Sequence, residues 1–224
     1  MFTEFTGFNE LTNEYLMGIR FNNNKEWFQA HKDMYRQNVH EPICALADDL
    51  FAKMRDMDKN FMEIPKISRA NRDIRFSKNK NPYKECKWFF FRADGKPDIV
   101  YARPTYFFEM SPDWWRYGLF YAPTPTGMKN YRKRIDANPA EFKKIKKIID
   151  KQDVFKLDGE DYKRLFNKDT DKDILSWYQK KYLEITSWHD YSENIFYEDG
   201  LTDLVFEGFK LLYPVYKYLD SIER

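Results

Sequence analysis

Three short runs in the middle of this chain, 87–91 (KWFFF), 105–110 (TYFFEM) and 116–121 (RYGLFY), are too aromatic to lie on a surface and too short for ordinary helices. Aromatic side chains suit a pleated, half-buried layer, so the runs predict antiparallel strands, with 93–98 and 111–113 free to turn between them. Consecutive aromatics blur the strand period of two. One side of the sheet is therefore expected to pack on helices while the other keeps some apolar cover.

Around these runs the apolar spacing is helical. Phe8, Leu11, Tyr15 and Leu16 form a short amphipathic pattern that stops at Asn22, Asn23 and Asn24. Asn23 with Glu26 reads as a capping box ahead of Trp27, Phe28, His31 and Tyr35 on one face. Pro42 opens a helix buried through Ile43, Leu46, Ala47, Leu50, Phe51 and Met54. Thr124–Pro125 and Asn138–Pro139, the latter with Glu141, are two further starts, and Phe142, Ile145, Ile148 and Ile149 share the second helix's apolar face. Asp158 and Gly159 mark a turn, 181–186 adds a strand, and Leu201, Leu204, Val205, Leu212, Val215 and Leu219 line a final helix. The expected class is α+β, an antiparallel or mixed sheet packed by helices around one main core. Residues 1–224 are read as a single compact domain, with 150–173 the natural place for an insertion or hinge.

Aromatic residues supply 19% of a chain whose mean hydropathy is -0.81, so apolar faces are broad despite the charge, and this is not the composition of a disordered chain. A formal charge of +2 gives little whole-molecule steering toward nucleic acid. Locally the balance differs: 66–87 holds eight basic and two acidic residues, 187–224 eight acidic and three basic. Two cysteines are too few for a disulfide framework; Cys44 falls in a helical core pattern, while positive charge near Cys86 raises the option of a lowered thiol pKa, though no His partner is readable. Without a signal-like start or a membrane-length apolar run, a cytoplasmic protein with no membrane span is expected.

The densest chemistry lies in the basic segment. Arg72, Arg75, Ser77, Lys78 and Lys84 offer directed guanidinium donors, a hydroxyl and mobile ammonium charges for a phosphate or carboxylate, with Asp73 orienting an arginine and Tyr83 packing its ring beside Pro82. Internal ion pairing of a rigid hairpin explains the same residues without a ligand. The segment has no glycine-rich phosphate loop, and no complete nucleophile and base are readable, so catalytic residues and cofactors stay unassigned.

In Asn22 to Trp27 with His31 and Tyr35, in RDIRFSKNKNPYK at 72–84, in Gly118 to Pro123 with the helix reaching Ile135, and around Trp177 and Pro214, the chain resembles domain-of-unknown-function family 2461. Asn79 stands where that pattern is acidic, which makes the patch more positive. The resemblance implies one compact unit over nearly the whole chain and brings no catalytic assignment.

Elsewhere the signals are weaker. His31 sits among aromatics as a core or hydrogen-bonding residue, and His40 and His189 belong to no compact metal spacing, so no metal is assigned. Trp114, Trp115 and Tyr117 around Arg116 read either as a stacking surface or, preferably, as core. The expected function is binding of a small anionic ligand. A nucleic-acid module extended by Lys143, Lys144, Lys146 and Lys147, or a scaffold pairing the basic segment with the acidic end of a second copy, are the alternatives.

Overall fold

The computed structural model describes residues 4–59, 61, 65–91, 103–163 and 171–222. The chain order is α1 (Glu10–Phe21), α2 (Lys25–Ala30), α3 (Lys32–Tyr35), a π-helical turn (Arg36–His40), α4 (Glu41–Met57), β1 (Lys66–Ile67), β2 (Lys87–Phe91), β3 (Thr105–Ser111) and β4 (Trp114–Tyr121). It continues through α5 (Pro125–Ala137), α6 (Pro139–Asp150), β5 (Lys156–Asp158), α7 (Leu175–Tyr178), β6 (Leu183–His189), a 3-10 turn (Asn194–Tyr197) and α8 (Leu201–Asp220). The strands make a six-stranded antiparallel sheet in the order β1-β2-β3-β4-β6-β5, so the α+β class holds. The turn expected at 93–98 and part of the 150–173 stretch, 164–170, lie outside the described residues.

The chain divides into two compact units. The first comprises Met1–Phe91, Phe108–Arg116 and Trp188–Phe206. Its core is aromatic: Phe8 stacks on Phe196 at 4.6 Å and on Phe108 at 6.1 Å, Phe108 stacks on Phe89 at 5.5 Å, and Trp115 lies flat on His189 at 3.9 Å. Ile43, Leu46, Leu50 and Met54 of α4 are fully buried, as the spacing predicts. Removing one such side chain from water contributes about 1.5–3 kcal/mol.

Two local expectations in this unit fail for identifiable reasons. Leu11 is 44% exposed, because Asn9 caps α1 in a capping box with Thr12 and turns Thr12, Tyr15, Leu16 and Ile19 inward instead. Asn24 rather than Asn23 caps α2, accepting from the Trp27 N–H at 2.9 Å, and Asn23 is engaged elsewhere.

The second unit comprises Arg92–Phe107, Tyr117–Ser187 and Glu207–Arg224. Thr124 and Asn138 cap α5 and α6 as read from the sequence, each with proline in the first turn. Phe142 meets Tyr131 and Trp177 edge to face. Gly159, with φ +102°, turns the chain after β5, where the Asp158–Gly159 pair predicts a turn. Gly118 in β4 lets the backbone of β6 come close: a Cβ there would lie 2.0 Å from the Ile185 carbonyl oxygen. Among the described residues no helix is long and apolar enough to cross a membrane.

Candidate functional site

The basic segment is a hairpin at the edge of the first unit. β1 pairs with β2, and the ladder continues past both strands. Ser68 N–H donates to Trp88 O, Lys84 N–H to Ala70 O and Arg72 N–H to Pro82 O, all at 2.8 Å, and Asn71 bridges Tyr83. Beyond Arg72 the ladder stops, since Pro82 has no N–H to donate. Side chains then satisfy the loop backbone: Asp73 accepts from Arg75 N–H, Ser77 from Asn79 N–H and Asn79 from Asn81 N–H.

The stem is fastened to α2 and the turn before it. Asn23 accepts from the Tyr83 N–H at 3.0 Å and donates to the Tyr83 carbonyl at 3.1 Å, which is why it is not the helix cap. The Tyr83 ring, 5% exposed, stacks on Phe28 at 4.1 Å and 9°. Two of the motifs that carry the family resemblance, one around Asn22 to Trp27 and one ending in NPYK, are thus physically joined.

The candidate ligand residues separate into two groups. At the tip, Asp73 binds Arg75 through two parallel hydrogen bonds, Nε to Oδ1 at 3.0 Å and Nη2 to Oδ2 at 2.6 Å, and the Arg75 side chain is 76% exposed. The guanidinium holds the Asp73 carboxyl down to about 2. Ser77 is spent on the loop backbone, Lys78 is exposed, and Phe76 beside them is 95% exposed.

At the stem, Arg72 is half-buried, and its Nε is buried with no acceptor. Lys84 donates to the Arg69 carbonyl and lies 5.4 Å over the Trp88 ring; burial, followed by the charges of Arg69 and Arg72, lowers its pKa. Cys86 is next to both. Burial, with the charge and hydrogen bond of Glu109, pushes its thiol up to about 12 against the opposing pull of Lys84 and Arg72. Burial and Glu109 thus outweigh the positive neighbours, so the thiol pKa is raised rather than lowered.

Glu109 leads to a second cluster that sequence reading only half found. It accepts from Arg116 Nη2 at 2.7 Å and Nε at 2.9 Å, and the Arg116 guanidinium lies 5.1 Å from the Trp114 ring and 4.6 Å from that of Trp188. The two indoles meet edge to face at 4.9 Å, with Trp188 49% exposed. Strand alternation explains the division: Trp115 turns into the core, whereas Trp114 and Arg116 face the other way. Tyr117, the third member of the predicted group, is buried in the second unit. Trp188 lies beyond the strand that the sequence predicts at 181–186, because β6 runs on to His189.

Lys87 is a further omission. It points inward from β2, is 2% exposed, and donates to the Tyr35 hydroxyl at 2.8 Å and to the Ser68 carbonyl. No carboxylate among the described residues pairs with it. Burial lowers its pKa to about 8, and its charge in turn helps lower His40, which contacts the buried Cys44. The Cys44 thiol is pushed up to about 11 by the same burial, in keeping with a core role.

The remaining features lie in the second unit. Lys143 pairs with Asp171 at 2.6 Å, and Lys146 with Asp150 at 2.5 Å and Asp173 at 3.4 Å, so half of the lysine run is engaged by carboxylates. A cleft of about 320 Å³ is lined by Lys146, Gln152, Phe155, Ser176, Trp177 and Lys180 and includes no residue of the basic segment. Among the described residues no three His, Cys, Asp or Glu converge as a metal-binding group.

No curated protein matches the chain. A family model described as "Conserved hypothetical protein (DUF2461)" matches residues 11–218, and that span includes the hairpin, the Asn23 clamp and the tryptophan–arginine cluster. The chain belongs to the DUF2461 family.

Proposed function

We propose that this protein binds a small anionic ligand, bearing phosphate or carboxylate, at the stem of the basic hairpin. The observation that carries the reading is the Arg72 guanidinium, whose buried Nε lacks an acceptor while the like charge of Lys84 lies close enough to feel it. A buried donor left unmade costs about 1–3 kcal/mol, and an anion between Arg72 and Lys84 supplies the acceptor and relieves the repulsion. Arg75, Ser77 and Lys78 then serve as an outer rim, since the directed donors of Arg75 already hold Asp73. Tyr83 and Asn23 position the stem. We place this binding in the cytoplasm, a setting that suits two free cysteines.

The test is calorimetry against a panel of phosphorylated and carboxylated metabolites with the wild type, Arg72→Ala and Arg75→Ala. Arg72→Ala is expected to abolish saturable binding and Arg75→Ala to weaken it only slightly. Absence of binding by the wild type, or equal loss in both variants, rejects the stem as the anion site.

A further inference from the structure

We propose that the face of the sheet carrying Trp88, Trp114, Arg116 and Trp188 binds single-stranded nucleic acid, with Arg72 and Lys84 on its phosphates. This rests on the reading that Arg72 and Lys84 hold an anion, and it adds what the anion is attached to.

Cations and rings interleave across this face: Lys84 sits 5.4 Å over Trp88, and Arg116 lies 5.1 Å from Trp114 and 4.6 Å from Trp188. Such alternation fits a chain that alternates phosphates with flat bases, because bases stack on aromatic and guanidinium planes while the backbone follows positive charge. The platform is also set in advance. Glu109 fixes the Arg116 guanidinium and is itself neutralised by it, and Trp188 remains 49% exposed on β6, leaving ring surface for a base.

Size argues the same way. Trp88 stands on β2 and Trp188 on β6, three strand positions apart in the sheet order. At roughly 4.8 Å per strand the row spans about 14 Å, more than one phosphate group occupies and suited to a short run of nucleotides crossing the strands. Bases inside a duplex have no free faces to stack, so a single strand is the form the platform accepts.

The experiment is fluorescence anisotropy of a labelled pyrimidine oligonucleotide of about ten nucleotides, titrated with wild type, Trp188→Ala and the Arg72→Ala/Lys84→Ala pair across a salt series. Calorimetry with inorganic phosphate and with a mononucleotide, and anisotropy with a duplex of the same length, run in parallel. Saturable single-strand binding is expected, about tenfold weaker in Trp188→Ala. The arginine–lysine pair variant should flatten the dependence of log affinity on log salt by about 1.4, the contribution of two phosphate contacts on a single strand. Trp188 is half exposed, so its replacement leaves the core intact. If phosphate binds through Arg72 but the oligonucleotide binds no tighter than the mononucleotide, or is indifferent to Trp188→Ala, or loses to the duplex, the nucleic-acid inference is overturned and the anion site stands. If neither phosphate nor oligonucleotide binds, both fall together.

Discussion

Arg72 and Arg75 are three residues apart in one hairpin, yet their surroundings are opposite. Arg75 is mostly exposed at the tip, with a carboxylate two residues away filling its fork of donors. Arg72 is half-buried at the stem, with one donor inside the protein and no acceptor for it. The tip is held by short-range bonds of its own side chains, whereas the stem is held by Asn23, Phe28 and the β2 ladder. Charge density along the sequence therefore does not tell the two arginines apart; what the fold does to each charge does.

Stem and tip should differ most at Tyr83. Truncating this 5%-exposed ring by Tyr83→Ala should cost about 3–5 kcal/mol in urea denaturation, whereas Phe76→Ala at the 95%-exposed tip should stay within about 0.5 kcal/mol. Equal losses at both positions would mean that stem and tip are not distinct.

Lys87, at the inner side of β2, makes stability depend on pH. The folded pKa is about 8 against 10.5 in the unfolded chain, so between these values the unfolded state binds more protons and stability rises with pH. The burden of the buried cation is complete below pH 8 and is relieved on the way to 10.5, amounting to about 3 kcal/mol by the shift alone. Denaturation at pH 7 and at pH 9.5 should show the wild type gaining on Lys87→Met as pH rises. A constant difference would show that Lys87 titrates as an exposed amine.

Smaller effects are expected at the clamp and smallest at the tip. Asn23→Ala removes two hydrogen bonds to the Tyr83 backbone and should lower stability by about 2 kcal/mol, measured by the same denaturation. At the tip the readout is titration rather than stability. Carbon-detected NMR should place the Asp73 carboxyl near 2 in the wild type and raise it in Arg75→Ala, short of the free value of about 3.9 because the backbone N–H at position 75 still donates to it. An unchanged titration would separate the two side chains in solution.

What the sequence made legible follows the strength of local physics. The strand at 87–91 and the caps at Thr124 and Asn138 are strong nearest-neighbour signals, and they appear where expected. β1 and β5 have two and three residues, too few to display a period, and the partners that define them are distant in sequence. Asn23 has the composition of a cap, but its choice between a helix N-terminus and the Tyr83 backbone, 60 residues on, is made by tertiary structure. The basic segment was visible as a site candidate. Its division into stem and tip was not, nor was the Glu109–Arg116–Trp188 row, whose members come from three strands.

Loop 73–81 can be cut without parting the two sides of the hairpin. Three of its backbone N–H groups are satisfied by its own side chains, it carries Arg75, Lys78 and Lys80, and the stem beneath it is secured on both sides. Trypsin should cut here early, and the two fragments should stay together through the ladder and the Asn23 clamp, migrating as one species until denaturant separates them. The same stretch is accordingly the natural place to splice in a tag, because the ends that the loop joins are held in register without it.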